Sequence, residues 1–130
     1  MNQGDLSPEV RRFLAERIDS AEQLDILLLL AKQAERDWTA LEVSQAIYTV
    51  PASATMRLES LVSAGFVTSS GESDPGYRYA PESDPIRQQI AALAEAYRSD
   101  RVSVIKFIFA KPADPVQSFA DAFRLRGGDK

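Results

Sequence analysis

The side chains with the best spacing for acid–base chemistry are Tyr77 and Tyr79, with Arg78 between them, and the nearby Glu72 and Asp74. Alternating Tyr-Arg-Tyr is equally the pattern of a packed strand, and acids in a loop with Gly71, Pro75 and Gly76 are equally solvated charges. The 130 residues include no Cys and no His. Structural zinc, iron–sulfur clusters, thiol nucleophiles and imidazole bases therefore have no ligands or donors here. No run of alternating Asp residues ending in Gly is present to hold calcium. The sequence thus predicts a protein that is not an enzyme and that carries no metal and no cofactor.

What remains is a fold that presents surfaces. Fifteen Lys and Arg stand against nineteen Asp and Glu, a net charge of −4, and the chain is 45% hydrophobic and 26% charged. That balance is typical of a globular chain with a core, and its length suits one domain with an appended element. The longest aliphatic run, residues 26–31, is far short of the roughly 20 residues that span a bilayer. With no Cys for disulfides and no basic-then-apolar start resembling a signal peptide, a cytoplasmic protein with no membrane segment is expected.

Local signals divide the chain into elements. Ser7-Pro8 opens a helix with Val10, Phe13, Leu14 and Ile18 on one face. Ser20-Ala21-Glu22-Gln23 reads as a capping box, opening a helix that runs to about Glu35 or Arg36 and is apolar around most of its circumference. Thr39-Ala40-Leu41-Glu42 is a second box, and the helix behind it is expected to bury Val43, Ala46 and Ile47 and to end near Tyr48. Pro51 starts the next helix, with Leu58, Leu61 and Val62 on one face, stopped by Ala64-Gly65. Two helices so closely joined have helix-turn-helix spacing. Residues 66–68 and 77–80 read as two strands of a hairpin. Ser83 or Asp84 caps a helix with Pro85 in its first turn and Ile86, Ile90, Leu93 and Tyr97 along one stripe. Residues 102–109 suit either a buried helix or a strand and are read as helix. Asp114 is placed to cap a last short helix carrying Val116, Phe119, Ala120 and Phe123.

Residues 20–80 resemble the winged helix-turn-helix domains of bacterial transcription regulators of the MarR and ArsR type. The segment TALEVSQAIYTVPASATMRLESLVSAGFV, residues 39–67, follows that pattern without a gap. Thr39 falls at the N-cap, Glu42 at the acidic position, and Val43 and Ile47 in the core. Pro51 starts the recognition helix, Leu58 and Leu61 match its paired leucines, and Ala64-Gly65-Phe66-Val67 leads into the wing. Tyr48 departs from the pattern, which often has Gly in the turn. The resemblance implies a mainly α fold with a small β-hairpin wing, in three parts. These are an N-terminal flanking helix (1–19), the winged helix-turn-helix (20–82) and a C-terminal helical dimerisation segment (83–130).

It further implies a homodimeric DNA-binding transcription regulator that places helix 51–64 in the major groove of double-stranded DNA. The contacting residues would be Ser53, Thr55, Met56, Arg57 and Ser60, with Arg78 on the wing. The dimer interface would use Ile86, Ile90, Leu93, Tyr97, Ile105 and Ile108. Charge distribution points elsewhere. Between residues 38 and 80 the cations Arg57 and Arg78 face Glu42, Glu59, Glu72 and Asp74, a net −2, whereas residues 84–130 carry eight cations and six acids, a net +2. Phosphate contacts need cations on the reading head. The alternative is therefore a winged-helix adaptor that binds a protein partner and not DNA, and that assembles through its C-terminal helices.

Overall fold

The protein is described from a computed structural model covering residues 6–110. It is mainly helical with one small antiparallel hairpin, as expected, in the order α1 (Pro8–Arg17), α2 (Ala21–Lys32), α3 (Ala40–Ile47), α4 (Pro51–Ser63), β1 (Val67–Ser69), β2 (Tyr77–Tyr79), α5 (Asp84–Ser99) and α6 (Arg101–Ala110). The segment 102–109 is helical. The short helix expected after Asp114 lies outside the described residues. Among those residues no helix is long and apolar enough to cross a membrane.

Polar caps set most helix starts. Ser7, Ser20, Thr39 and Ser83 each accept a hydrogen bond from a backbone N–H of the first turn, satisfying a donor that the helix itself leaves unpaired. The box at Thr39 is complete. At Ser20 only half of the expected box forms, because the Gln23 amide oxygen accepts from the Asp19 N–H, one residue earlier. α2 also stops at Lys32, earlier than its apolar run suggested, as Gln33 leaves helical geometry at φ −122° and ψ 64°.

The inward faces of the elements meet in one core. α3 and α4 pack together and α4 packs on α2, while α1, α5 and α6 form a second group in mutual contact. Leu14, Ile18, Leu24, Leu27, Leu30, Leu58, Leu61, Phe66 and Leu93 are fully buried, each worth about 1.5–3 kcal/mol in apolar transfer. Two expectations change here. Ala46 is exposed, and Ser44 is buried in its stead, its hydroxyl donating to the Leu41 carbonyl at 2.7 Å. Half of the stripe on α5 is taken up within the chain: Ile90 and Leu93, with Ile108 of α6, are buried in its own core together with Val10, Phe13 and Leu14, while Ile86 and Tyr97 are partly covered.

The hairpin pairs Val67 with Tyr79, Thr68 with Arg78 and Ser69 with Tyr77. Trp38 adds a single bridge on the far side of β2, exchanging backbone hydrogen bonds of 2.8 and 2.7 Å with Tyr77. The segment leading into α3 is thereby tied to the wing.

Candidate recognition surface

The turn between α3 and α4 presents the surface. Tyr48 closes α3 at φ 61° and ψ 48°, the left-handed conformation that Gly adopts at little cost. The chain thus keeps the turn expected of Gly despite its Tyr. The phenol is 94% exposed, and Val50, Met56 and Leu41 are further exposed large apolar side chains nearby in sequence.

α4 has three sides. Ala54, Leu58 and Leu61 point into the core. Ser53, Arg57 and Ser60 are half-buried and turned toward α2, which corrects the expectation that they share the outward face. The Ser53 hydroxyl donates to Glu22 Oε1 at 2.5 Å, and Arg57 Nε donates to the same oxygen at 3.0 Å. Gln23, itself buried, donates through Nε2 to Ser60 Oγ at 3.0 Å, and that hydroxyl donates to the Arg57 carbonyl at 2.6 Å. Hydrogen bonds from Ser53 and then Thr49, with the Arg57 charge adding less, hold the Glu22 carboxyl below the usual carboxylate range against the opposing effect of burial.

Only the third side of α4 faces water. It carries Ala52, Thr55, Met56, Glu59 and Ser63, with no cation among them. Glu59 accepts a hydrogen bond of 2.5 Å from the Tyr77 hydroxyl. Burial, reinforced by that carboxylate, pushes the Tyr77 phenol up to about 12, so it stays protonated at neutral pH.

On the wing, Arg78 is exposed and paired with Asp37 at 2.8 Å. Glu72 and Asp74 lie exposed in the loop beyond it. Arg36 sits 3.6 Å from the centre of the Trp38 ring and 3.6 Å from Glu42. Residues 20–82 hold four cations against nine acids, a net −5, so the head is more acidic than the chain as a whole.

The predicted residues thus separate. Thr55 and Met56 share the outward face, Ser53, Arg57 and Ser60 form a seam with α2, and Arg78 stands on the wing in an ion pair. Sequence reading missed Glu22 and Gln23 as partners of that seam. A polar Gln followed directly by the apolar run of α2 was the available sign. Of the C-terminal residues, Ile86, Tyr97 and Ile105 are half-buried, and α6 exposes Val102 and Phe109. Among the described residues no group of three or more acids is placed to hold a metal ion.

This fold has a solved counterpart. The crystal structure of RV1404 from Mycobacterium tuberculosis is similar with a TM-score of 0.52, over 92% of this chain and 82% of that one, at 12% sequence identity. At that identity the likeness is one of fold. No family model matches the chain, and no curated protein matches it.

Proposed function

We propose that this chain is a winged-helix adaptor that recognises a protein partner through the α3–α4 face, with no enzymatic activity of its own. The observation that carries the reading is the outward face of α4, which offers hydroxyl, thioether and carboxylate groups and no cation, in a head of net charge −5. A duplex presents one phosphate charge about every 1.7 Å of axis and is bound through Lys and Arg. Arg57 and Arg78, the cations of α4 and the wing, are each held by a carboxylate of this chain. Exposed Tyr48, Val50 and Met56 supply the apolar centre of a protein contact, and Glu59 with the wing acids supplies a rim suited to a basic one.

Assembly with a second copy falls to α6. Val102, Ile105 and Phe109 recur at helical spacing, and the exposure of Val102 and Phe109 beside the half-buried Ile105 supports self-association through that face. The half-buried Ile86 and Tyr97 are secondary, and Ile90, Leu93 and Ile108 serve the core. A cytoplasmic setting belongs to the same reading, since the chain has no Cys for disulfides.

The second reading, a homodimeric transcription regulator binding double-stranded DNA, is favoured by one feature, the succession of α3, turn, α4 and hairpin. Titration with random duplex at about 50 mM salt, where phosphate contacts are strong, separates the two. The adaptor reading expects no binding. Binding that weakens in Arg57→Ala and Arg78→Ala, with a shallower dependence on salt, would establish the regulator instead.

A further inference from the structure

Leu41, Gln45 and Tyr48 recur at helical spacing along α3 and its cap, and Ala52, Met56 and Glu59 do so along α4; all are exposed. The turn joins the two rows through Tyr48 and Val50, which are 94% and 62% exposed. Large apolar side chains therefore gather around the turn, and the row on α4 becomes acidic at Glu59, one helical turn beyond Met56. Glu59 Oε2 accepts from the Tyr77 hydroxyl, which brings this end of the row to the start of β2. Asp74 and Glu72 lie three and five residues before Tyr77 in the exposed wing loop.

The cations of this half of the chain lie elsewhere. Arg57 is turned to Glu22 on α2, Arg36 sits against Glu42 and over the Trp38 ring, and Lys32 lies on the side of α2 that faces α5. Successive side chains of a strand leave opposite faces. With Tyr77 directed at Glu59, Arg78 leaves the other face of the hairpin, where it meets Asp37. Among the described residues Glu59, Glu72 and Asp74 are in no ion pair. The face thus runs from an apolar turn to a carboxylate end without counter-charge.

We propose that the partner of the α3–α4 face is a cationic amphipathic segment of another protein. Its apolar side chains cover Tyr48, Val50 and Met56, and its Lys and Arg side chains meet Glu59, Asp74 and Glu72. The assignment rests on the reading of this face as a protein contact and adds the chemistry of what it contacts. Covering the aromatic and its neighbours supplies most of the affinity, whereas exposed carboxylates chiefly select the sign of the partner and speed its approach.

Fluorescence anisotropy of the full chain with three labelled synthetic peptides of about 14 residues, long enough to turn helical, tests it. One is built from Leu and Lys in an amphipathic pattern, one from Leu and Glu in the same pattern, and one from Ser and Lys. At about 50 mM salt the Leu–Lys peptide is expected to bind at least tenfold more tightly than either of the others. Tyr48→Asn, which keeps a residue tolerant of the left-handed turn, should weaken it about tenfold. Glu72→Gln with Asp74→Asn should weaken it roughly fivefold, an effect lost at about 1 M salt, where the effect of Tyr48→Asn persists. Glu9→Gln with Glu16→Gln on α1 should leave it unchanged. Equal binding of the Leu–Glu peptide, still sensitive to Tyr48→Asn, would overturn the cationic partner and leave the face as a protein contact. Leu–Lys binding insensitive to the Tyr48 and wing variants, or lowered as much by the α1 pair, would overturn the assignment to this face, as would no binding of any peptide at about 1 mM. Duplex binding under the same conditions would overturn the underlying reading as well. Circular dichroism of each variant separates loss of a contact from loss of fold.

Discussion

Tyr48 is the residue least explained by stability. A non-glycine residue in the left-handed region pays about 1–2 kcal/mol, while Gly pays roughly 0.4–1 kcal/mol more chain entropy on folding. With its ring exposed, Tyr48 recovers little of the difference by packing. Tyr48→Gly is therefore expected to raise stability by about 0.5–1 kcal/mol, measured by urea unfolding; a loss of stability would reveal packing by the phenol that its exposure excludes. An exposed aromatic kept at a conformational cost is the kind of residue that anchors a protein contact, because Tyr buries a large, stiff surface when a partner covers it. Gly65, at φ 86°, is the opposite case. Gly suits that backbone, and a Cβ there would run into the Glu82 carboxyl.

At the scale of elements, the seam between α2 and α4 decides which way the candidate recognition helix faces. Glu22 collects Ser53 and Arg57 from α4, and Gln23 collects Ser60, so three positions one turn apart are drawn inward together. The carboxyl of Glu22 is lowered from its ordinary 4.5 in the folded chain. A lowered acid contributes stability above its unfolded value, and that contribution is lost as pH falls through the folded value. Wild-type stability is therefore expected to drop below about pH 4.5 more steeply than that of Glu22→Gln, measured by thermal unfolding across pH 3–7. Parallel curves would mean that the seam is too well solvated to matter. The pair is partly exposed, with side-chain exposures of 30% for Arg57 and 25% for Glu22, which keeps its net worth small beside the core.

Over the whole molecule, the second helical group completes the core, and this sets where apolar surface remains for other molecules. Leu93 is fully buried, so Leu93→Ala is expected to cost about 2–5 kcal/mol through lost transfer energy and a cavity. Phe109 is 77% exposed, so Phe109→Ser should change monomer stability by no more than about 0.5 kcal/mol and shift the self-association measured by light scattering. Serine at 109 without effect on association would remove α6 from the proposed interface. Net charge also acts at this scale, since a head of −5 favours cationic surfaces over phosphate at long range.

Much of the fold was legible because caps, turns and apolar periodicity act within a few residues. Ser7, Thr39 and Ser83 start their helices for local reasons that any reader of the chain can follow, and a sequence with no Cys and no His offers no thiol or imidazole group whatever the fold. The site was legible only in part. Arg57 stood out as a basic residue on the right helix, but its direction depends on where α2 lies, and the two residues are 35 positions apart in the chain. Ile90 and Leu93 have the same spacing whether a neighbouring helix belongs to this chain or to another, since periodicity records that a face is covered and not by what. Composition and local pattern determined the elements and the acidity of the head. Tertiary packing alone decided which side of α4 meets water and which apolar residues the core had already taken, because both depend on contacts between elements distant in the chain.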